Sequence, residues 1–521
     1  MTSDESAHPC QGTELPSLLG EMEHLGTRGR DPGNTVVRSV TCDSRMVVPG
    51  SLFVAIRGFA TDGHRFIGSA VGKGAIAVVC EEYPEALSPH CLYIQVADAR
   101  LALAEAARIF YGKASDSLKL IGVTGTNGKT TTAKLITSML NANGIPAGYI
   151  GTNLCMIGNE DIPLDRTTPE ADMLHSLFAR MLDAGCKATV MEVSSHALML
   201  GRVYGLLFDA AIFTNLTMEH LDFHETMQEY AAAKQRLFDQ ISPDGLAVFN
   251  IDDPYASLMM ERVDRSKRCC CTMKDYADAA GCAELFRAEV LHGSIASSDV
   301  RMHIPGSVME MQLHLPGPYN VMNVLEAAAT GVGLGIDPRS AFRSLAAVSA
   351  VEGRMERVGD ASSGLNVFVD YAHTPDALQK ALGTLHDLKP PGAKLFVVFG
   401  CGGDRDRTKR PEMGRIASET ADRVVLTSDN PRSEDPERIL DEIERGISGV
   451  PHYRVSDRRE AIGKALSMLH EGDILLVAGK GHEKYQEING RKEYFSDQEV
   501  IGTFLNAMGT SQAAVPGKEK S

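Results

Sequence analysis

The sequence predicts an α/β protein of three successive domains, and three observations carry that expectation. A length of 521 residues at 43% hydrophobic composition exceeds what one ordinary core accommodates. Short apolar runs of strand length alternate with helical stretches, as in a mostly parallel sheet covered by helices. That alternation restarts partway along the chain, and no internal repeat or low-complexity linker accounts for the restart.

Residues 1 to about 115 mix the β-rich runs SLFVAI, AIAVVC and LYIQV with the helical stretch ARLALAEAARIFYG, and end in polar KASDSLK. This is a small α/β unit. From 116 to 350 the runs LKLIGVTG, ATVMEVSS, DAAIFTNL and LAVFNIDD are separated by helices such as KTTTAKLITSMLNANG, which should stop at Gly144 with Pro146 beyond it. From 351 to 505 the pattern restarts with NVFVDYAHTP, KLFVVFGCGGDRD, RVVLTSDNP, HYRVSD and DILLVAGKGHE, a second doubly wound unit. Residues 506 to 521 are small and polar, and a disordered tail is expected there.

Charge and composition exclude several function classes. A net charge of −16 repels a phosphate backbone, so nucleic acid is not an expected partner. No window approaches twenty uninterrupted apolar residues, and the first thirty residues lack a signal-peptide core, so a cytoplasmic protein without membrane insertion is expected. A monomer is the expected state. The eleven cysteines are scattered and odd in number, which suits reduced thiols; Cys269, Cys270, Cys271 and Cys282 lack paired C-x-x-C spacing and are taken as ordinary packing or surface sequence, not as a metal site.

The strongest local signal is LIGVTGTNGKTTTAKLI. An apolar run passes through Gly125, Thr126, Asn127 and Gly128 into a helix opening at Lys129, Thr130 and Thr131. Such a turn aims backbone N–H groups and a helix N-terminus at phosphate oxygens, while Lys129 neutralises charge and Thr130 can hold Mg²⁺. Val123 stands where the general G-x-x-x-x-G-K-[ST] pattern has its first glycine, and Gly125 lies inside the loop instead. Motors, kinases and ligases share such loops, so the loop by itself names no reaction.

Glu192, in ATVMEVSSH, ends a run at the place where open α/β sheets bind ligands; it is either a Mg²⁺ ligand or a solvated strand-end carboxylate. His220, past the next run, is a second candidate ligand or a structural histidine. In TMQEYAAAKQRLFDQI the apolar stripe runs through Met227, Tyr230, Ala231, Leu237, Phe238 and Ile241, and Lys234 falls on it. A buried ammonium must snorkel, find an anion or change its chemistry. Reaction with CO₂ would convert it to a carbamate, able to bind a second Mg²⁺.

Assembled, these residues resemble the Mur ligases, in the family's order and over nearly the whole chain. The matching stretches are GTNGKTT (Gly125 to Thr131), EVSSHAL (Glu192 to Leu198), TNL…HLDFH (Thr214 to His224), the YxxAK stretch ending at Lys234, YNVMN (Tyr319 to Asn323), EGRME (Glu352 to Glu356), DYAHTP (Asp370 to Pro375) and GCGGDRD (Gly400 to Asp406). The resemblance implies an N-terminal domain for a UDP-sugar, a central P-loop ATPase and a C-terminal Rossmann-like domain. It assigns Asn320 and Asn323 to the nucleotide, with Arg354 and Asp370 completing the ATP site. Ser44, Thr167, Thr168, Ser194 and Arg202 would contact a UDP-muramoyl dipeptide. Thr130, Glu192, His220 and carbamylated Lys234 would serve the magnesium ions. Glu219 departs from the family, where many relatives have aspartate before the histidine.

Within the family, Asp429, Asn430, Pro431 and Arg432 match the DNPR motif of the diaminopimelate-adding branch, with Arg405, Gly479 and Glu483 as companions. Taken alone, that stretch is turn chemistry leading into a helix. Diaminopimelate carries a second amino acid head: a guanidinium fork at Arg432 suits its carboxylate, and Glu483 its ammonium. Lysine lacks that carboxylate, and its rejection by about 4 kcal/mol or more follows from the unpaired arginine.

The implied reaction joins meso-2,6-diaminopimelate to UDP-N-acetylmuramoyl-L-alanyl-D-glutamate in peptidoglycan synthesis, with ATP giving ADP and phosphate. Transfer of the γ-phosphoryl to a carboxylate would form an acyl phosphate, helped by Lys129 and two metal ions, before amine attack. The alternatives are a lysine-adding Mur ligase, a folylpolyglutamate synthetase-like ligase, which leaves CDSR and DNPR unexplained, and a P-loop regulator without turnover.

Overall fold

The computed structural model describes residues 12–30, 33, 35–58, 61–275, 281–359 and 364–513. Among these residues three large sheets follow one another along the chain. The first has the strand order Gly26–Gly29, Leu92–Gln95, Ala77–Cys80, Ser51–Val54, Ser39–Thr41, parallel except for its antiparallel first pair. Helix Ala99–Phe110 covers it, capped by the Asp98 carboxylate on the Arg100 and Leu101 amides.

The second sheet has eleven strands and holds the phosphate loop. Its parallel centre runs Ala147–Gly151, Ala188–Glu192, Lys119–Thr124, Phe208–Phe213, Ile241–Asn250, Arg268–Thr272. Strand Lys119–Thr124 thus lies between the strands ending at Glu192 and Phe213, so the loop emerges between both candidate metal-ligand segments. Apolar clusters fill both faces of the sheet, which is why its central strands are near-continuous hydrophobic runs. Antiparallel hairpins extend both edges, through Leu154–Ile157 with Glu160–Pro163 and through Ser298–Ile304 with Ser307–Leu313. These half-exposed, alternating strands were not among the expected elements.

The third sheet is ordered Glu356–Val358, Asn366–Asp370, Ile474–Ala478, Leu395–Phe399, Arg423–Leu426, His452–Arg454, parallel beyond its first pair. Three adjacent strands therefore deliver GKGHE, GCGGDRD and DNPR to one edge. Beneath them Arg458 and Asp497, both fully buried, form a two-pronged ion pair of 2.8 and 2.7 Å, and Arg458 also donates to the Ala478 carbonyl at 3.0 Å. Removing one partner strands a buried charge. Asp497→Ala is accordingly expected to destabilise this part of the molecule by about 3–5 kcal/mol, read as an earlier denaturant-unfolding transition; an unshifted transition would contradict it.

Several expectations need correction. The helix carrying Lys234 ends at Gln235, and Ile241 opens a strand, so the apolar stripe continues into a different element. The last helix, Asp497–Ala513, extends past residue 506, where disorder was expected, because a well-anchored helix propagates through passable helix formers; residues 514–521 lie outside the described residues. Cys270 and Cys282 form a disulfide rather than two reduced thiols. Parallel pairing of Arg268–Thr272 with Glu284–Gly293 brings the chain just before the second strand alongside Cys270, a proximity that spacing along the sequence conceals. Among the described residues no helix is long and apolar enough to cross a membrane.

Candidate active site

The phosphate loop joins strand Lys119–Thr124 to helix Lys129–Ala142. Its glycines are required by space and backbone. Gly125 has φ 152° and a Cβ there would collide with Thr214 Oγ1; Gly128, the N-cap at φ 86°, would bring a Cβ to 2.7 Å from Asn323 Oδ1. The Lys129 ammonium donates to the carbonyls of Gly125 (2.9 Å) and Thr126 (2.7 Å). Burial lowers its pKa, opposed by Glu219 and Glu192. A phosphate oxygen entering the loop would give this cation a charged partner in place of two neutral carbonyls.

Glu192 is buried at the end of its strand. Its Oε1 accepts from Tyr149 Oη at 2.5 Å and from the Thr152 amide at 3.1 Å, and its Oε2 from Thr152 Oγ1 at 3.2 Å. Burial alone would raise this carboxyl; Lys129, Tyr149, Arg354 and the Thr152 amide together hold it below the ordinary glutamate value. Tyr149 also touches Thr130, whose hydroxyl accepts from Arg354 Nη2 at 2.7 Å. The hydroxyl of Thr130 and the carboxylate of Glu192 thus share one network of hard oxygen donors, a set that suits Mg²⁺.

The network continues to the residues expected on the muramoyl side. Thr152 Oγ1 meets Thr167 Oγ1 at 3.2 Å; Thr168 Oγ1 donates to the Glu192 carbonyl at 2.8 Å and accepts from the Ser194 amide at 3.1 Å. Arg202 donates to the Thr168 carbonyl at 3.1 Å and pairs with Glu170 at 2.9 Å. Ser44 is not in this network among the described residues. It sits in the turn after strand Ser39–Thr41, which approaches through Cys42 N donating to Asp172 Oδ2 at 3.2 Å.

Lys234 is 1% exposed, as its place on the apolar stripe required, and its Nζ donates to the Gly125 carbonyl at 2.7 Å, the acceptor that Lys129 also uses. Burial, reinforced by Lys129, lowers its pKa well below that of an ordinary lysine, with Glu219 pulling the other way. Its ammonium lies 4.5 Å from the centre of the Tyr230 ring. His220 adopts φ 57° with its ring 6.1 Å from Tyr230 and 4.9 Å from His196, and its Nε2 lies 3.8 Å from Glu219. The four expected metal ligands therefore fall into two pairs, Thr130 with Glu192 and Lys234 with His220 around Tyr230. Among the described residues no three His, Cys, Asp or Glu side chains form a cage by themselves.

The third sheet's chain closes against this loop. Besides the Arg354 contact, Asp376 Oδ2 accepts from Asn127 Nδ2 (2.6 Å) and Thr217 Oγ1 (3.0 Å). Arg354 stacks 4.7 Å over Tyr371, and its Nε has no hydrogen-bond partner among the described residues, so the guanidinium keeps a donor for an anion. Asp370 Oδ2 accepts from the Met355 amide at 2.7 Å, and burial raises its pKa. A cavity of about 360 Å³ opens here, lined by Asn127, Gly128, Thr131, Asn320, Asn323 and Arg354 among others, with Asp370 on its wall.

At the strand ends of the third sheet, Glu483 accepts four hydrogen bonds. Oε2 takes Asn430 Nδ2 (2.9 Å) and Lys480 Nζ (3.3 Å); Oε1 takes Asn153 Nδ2 (3.1 Å) and Tyr371 Oη (3.3 Å). Gly479, at φ 113°, leaves room for Asp429, whose Oδ2 lies 2.6 Å from where a Cβ would stand. Arg432 follows Pro431 in a left-handed conformation, φ 53°, held by its amide on the Glu487 carbonyl at 3.0 Å. Its Nη1 donates to the Gly403 carbonyl at 2.7 Å and its Nε lies 3.4 Å from Glu487. Arg405 lies beside the same glycine as Arg432, its Cγ 3.8 Å from where a Cβ on Gly402 would stand, and is exposed, with Nη1 on the Asp404 carbonyl at 3.1 Å.

Sequence reasoning passed over Tyr149, Thr152, Asn153, Asp376 and Lys480. Lys480 offered the one available signal, a lysine directly after an apolar run in AGKGHE; it is fully buried and donates to Asn430 Oδ1 at 3.1 Å. The others lie in ordinary-looking sequence.

Comparison with known proteins identifies the family. Residues 36–111 match the family model described as Mur ligase family, catalytic domain; 123–331 match Mur ligase middle domain; 353–481 match Mur ligase, glutamate ligase domain. The chain is similar to the UDP-N-acetylmuramoyl-L-alanyl-D-glutamate--2,6-diaminopimelate ligase of Chlorobaculum tepidum, 59% identical over 497 residues, covering 95% of this chain and 97% of that one. It is 58% identical over 506 residues to the ligase of the same name from Chlorobium phaeobacteroides, covering 97% and 98%. A solved structure of a ligase of that name superposes with a TM-score of 0.67 at 31% identity, covering 96% of this chain and 99% of the other. With matches from residue 36 to 481 and relatives this similar along nearly their full length, the chain belongs to the Mur ligase family.

Proposed function

We propose that this chain joins meso-2,6-diaminopimelate to the D-glutamate γ-carboxylate of UDP-N-acetylmuramoyl-L-alanyl-D-glutamate, using ATP, as a cytoplasmic monomer. The supporting observation is the double contact that brings the third sheet's chain onto the second: Arg354 on Thr130 at 2.7 Å and Asn153 on Glu483 at 3.1 Å. Phosphate loop and arginine pocket then face one carboxylate. We assign residues 1–115 to the UDP-sugar, 116–350 to ATP and 351–505 to the amino acid.

In this mechanism a γ-carboxylate oxygen attacks the γ-phosphorus of ATP and ADP leaves, giving an acyl phosphate. Lys129, released from the Gly125 and Thr126 carbonyls, neutralises charge gathering on the transferring group, and Arg354 supplies a second cation. Thr167, Thr168, Ser194 and Arg202 orient the muramoyl dipeptide, with Ser44 on its uridine side; Asn320, Asn323 and Asp370 orient the nucleotide. Mg²⁺ held by Thr130 and Glu192, with His220 and carbamylated Lys234 for a second ion, would offset the phosphate charges. The neutral amine of diaminopimelate then attacks the acyl carbon, phosphate departs, and the amine gives up its proton as the amide forms. Arg432 and Arg405 hold the carboxylate of the second head, and Asn430 and Glu483 its ammonium.

The test is ATP turnover with UDP-muramoyl dipeptide and a panel of amino acids. Diaminopimelate should exceed lysine, and ¹⁸O placed in the γ-carboxylate should appear in released phosphate. Lysine outperforming diaminopimelate, or phosphate without label, would reject this reading.

Carbamylation of Lys234 carries its own expectation. CO₂ adds to a neutral amine and releases a proton. A lysine whose pKa is lowered by burial presents neutral amine at lower pH than an ordinary one, so the carbamate forms near neutrality and is lost as pH falls. With ¹³C-bicarbonate, a carbamate carbon signal should appear in the native protein and be missing from Lys234→Ala, whose turnover drops by about a hundredfold. An identical ¹³C spectrum for the two proteins would exclude the modification.

A further inference from the structure

The lining of the cavity beside the phosphate loop includes a carboxyl group that the mechanism above does not use. Glu326 lies in helix Pro318–Gly333, is fully buried and lines the cavity. Its Oε1 has no hydrogen-bond partner among the described residues. A buried carboxyl oxygen without a donor is costly, and its position on a ligand cavity points to a donor that the ligand brings.

The hydrogen bonds around it determine which donor. The Pro316 carbonyl can only accept, and it takes Asn320 Nδ2 at 2.8 Å. That fixes the Asn320 amide, so Asn320 Oδ1 accepts from Asn323 Nδ2 at 3.2 Å. Asn323 Oδ1 therefore faces Thr132 Oγ1, 3.2 Å away, and must accept from it. Thr132 has one hydroxyl hydrogen, yet its oxygen is also 2.9 Å from Glu326 Oε2. Both contacts are satisfied together only when Glu326 carries a proton on Oε2 and donates it to Thr132. Burial pushes this carboxyl up to about 8, in agreement with a neutral acid at pH 7. Oε1 is then the carbonyl oxygen of a carboxylic acid, an acceptor whose direction is set by a relay of buried groups beginning at Pro316.

We propose that Glu326 is a specificity-determining residue that accepts a hydrogen bond from the 6-amino group of adenine through Oε1, and so selects ATP over nucleotides with a 6-oxo group. This rests on the reading of the cavity as the ATP site. With the phosphates at the loop end, at Gly128 and Thr131, the base is assigned to the part of the lining that includes Met273, Met322 and Glu326. Hypoxanthine and guanine would set a carbonyl oxygen against the Glu326 oxygen, lone pair to lone pair.

The experiment compares kcat/KM for ATP, inosine triphosphate and purine riboside triphosphate, which lacks the 6-substituent. The native protein should prefer ATP over inosine triphosphate by about a hundredfold, with purine riboside triphosphate intermediate. Glu326→Gln should keep the preference, because its amide nitrogen can donate to Thr132 and its oxygen still face the base. Glu326→Leu should use ATP and inosine triphosphate almost equally. Equal use of ATP and purine riboside triphosphate by the native protein would overturn the proposal without needing any variant, as would an undiminished ATP preference in Glu326→Leu. Native protein that turns over no nucleotide in the presence of its other substrates would reject instead the ATP-ligase reading on which the proposal rests.

Discussion

Lys129→Met is expected to lower ATP-dependent phosphate release by about a thousandfold or more at saturating substrates, with the circular dichroism spectrum unchanged. The side chains are similar in length, so the substitution removes charge and little volume. The Lys129 ammonium rests on the Gly125 and Thr126 carbonyls, and a phosphate in the loop would draw it away from both. A neutral side chain leaves the growing negative charge to Arg354, whose nearest polar contact is Thr130 at 2.7 Å. Because Lys234 shares the Gly125 carbonyl, losing Lys129 also removes the cation that helps to hold Lys234 neutral, and carbamate formation should shift to higher pH. Turnover of Lys129→Met near the native rate would mean that the loop cradles phosphate without assisting its transfer.

Arg432→Met is expected to act on choice of amino acid rather than on ATP. The ratio of kcat/KM for diaminopimelate over lysine should fall by about a thousandfold, chiefly through a higher KM for diaminopimelate, while the KM for ATP stays near its native value. The guanidinium has five N–H donors, of which the Gly403 carbonyl takes one at 2.7 Å and Glu487 engages Nε at 3.4 Å. The remaining donors can hold a carboxylate bidentately, which methionine cannot do. Arg432→Lys keeps the charge but loses the fork, so it should recover only part of the preference. A diaminopimelate preference left intact in Arg432→Met would remove this residue from amino acid selection.

Much of the site was legible in the chain because it is local. Gly125 to Thr131 lie on one turn whose backbone, glycines and helix start are contiguous, so their joint meaning needs no tertiary contact. The burial of Lys234 was legible for a similar reason, since helical periodicity alone put it on the apolar side. Glu192 was legible only as a strand-end carboxylate. Its depressed pKa depends on Lys129 and on Tyr149, which are 63 and 43 residues away along the chain.

What the sequence determined by itself was the three-part α/β pattern, the phosphate loop, and the order of motifs that marks a Mur ligase, because strand and helix periods and turn chemistry are properties of neighbouring residues. The tertiary structure alone decided that Arg354 reaches Thr130, that Asp376 receives Asn127, that Lys480 locks Asn430 to Glu483, and that Glu326 ends a relay in the lining of the cavity beside the phosphate loop. Each of these depends on which strands lie side by side and which way an amide or hydroxyl is turned. A hydrogen bond has a direction and a reach of about 3 Å, and no spacing along a chain encodes either until the sheet order has been set.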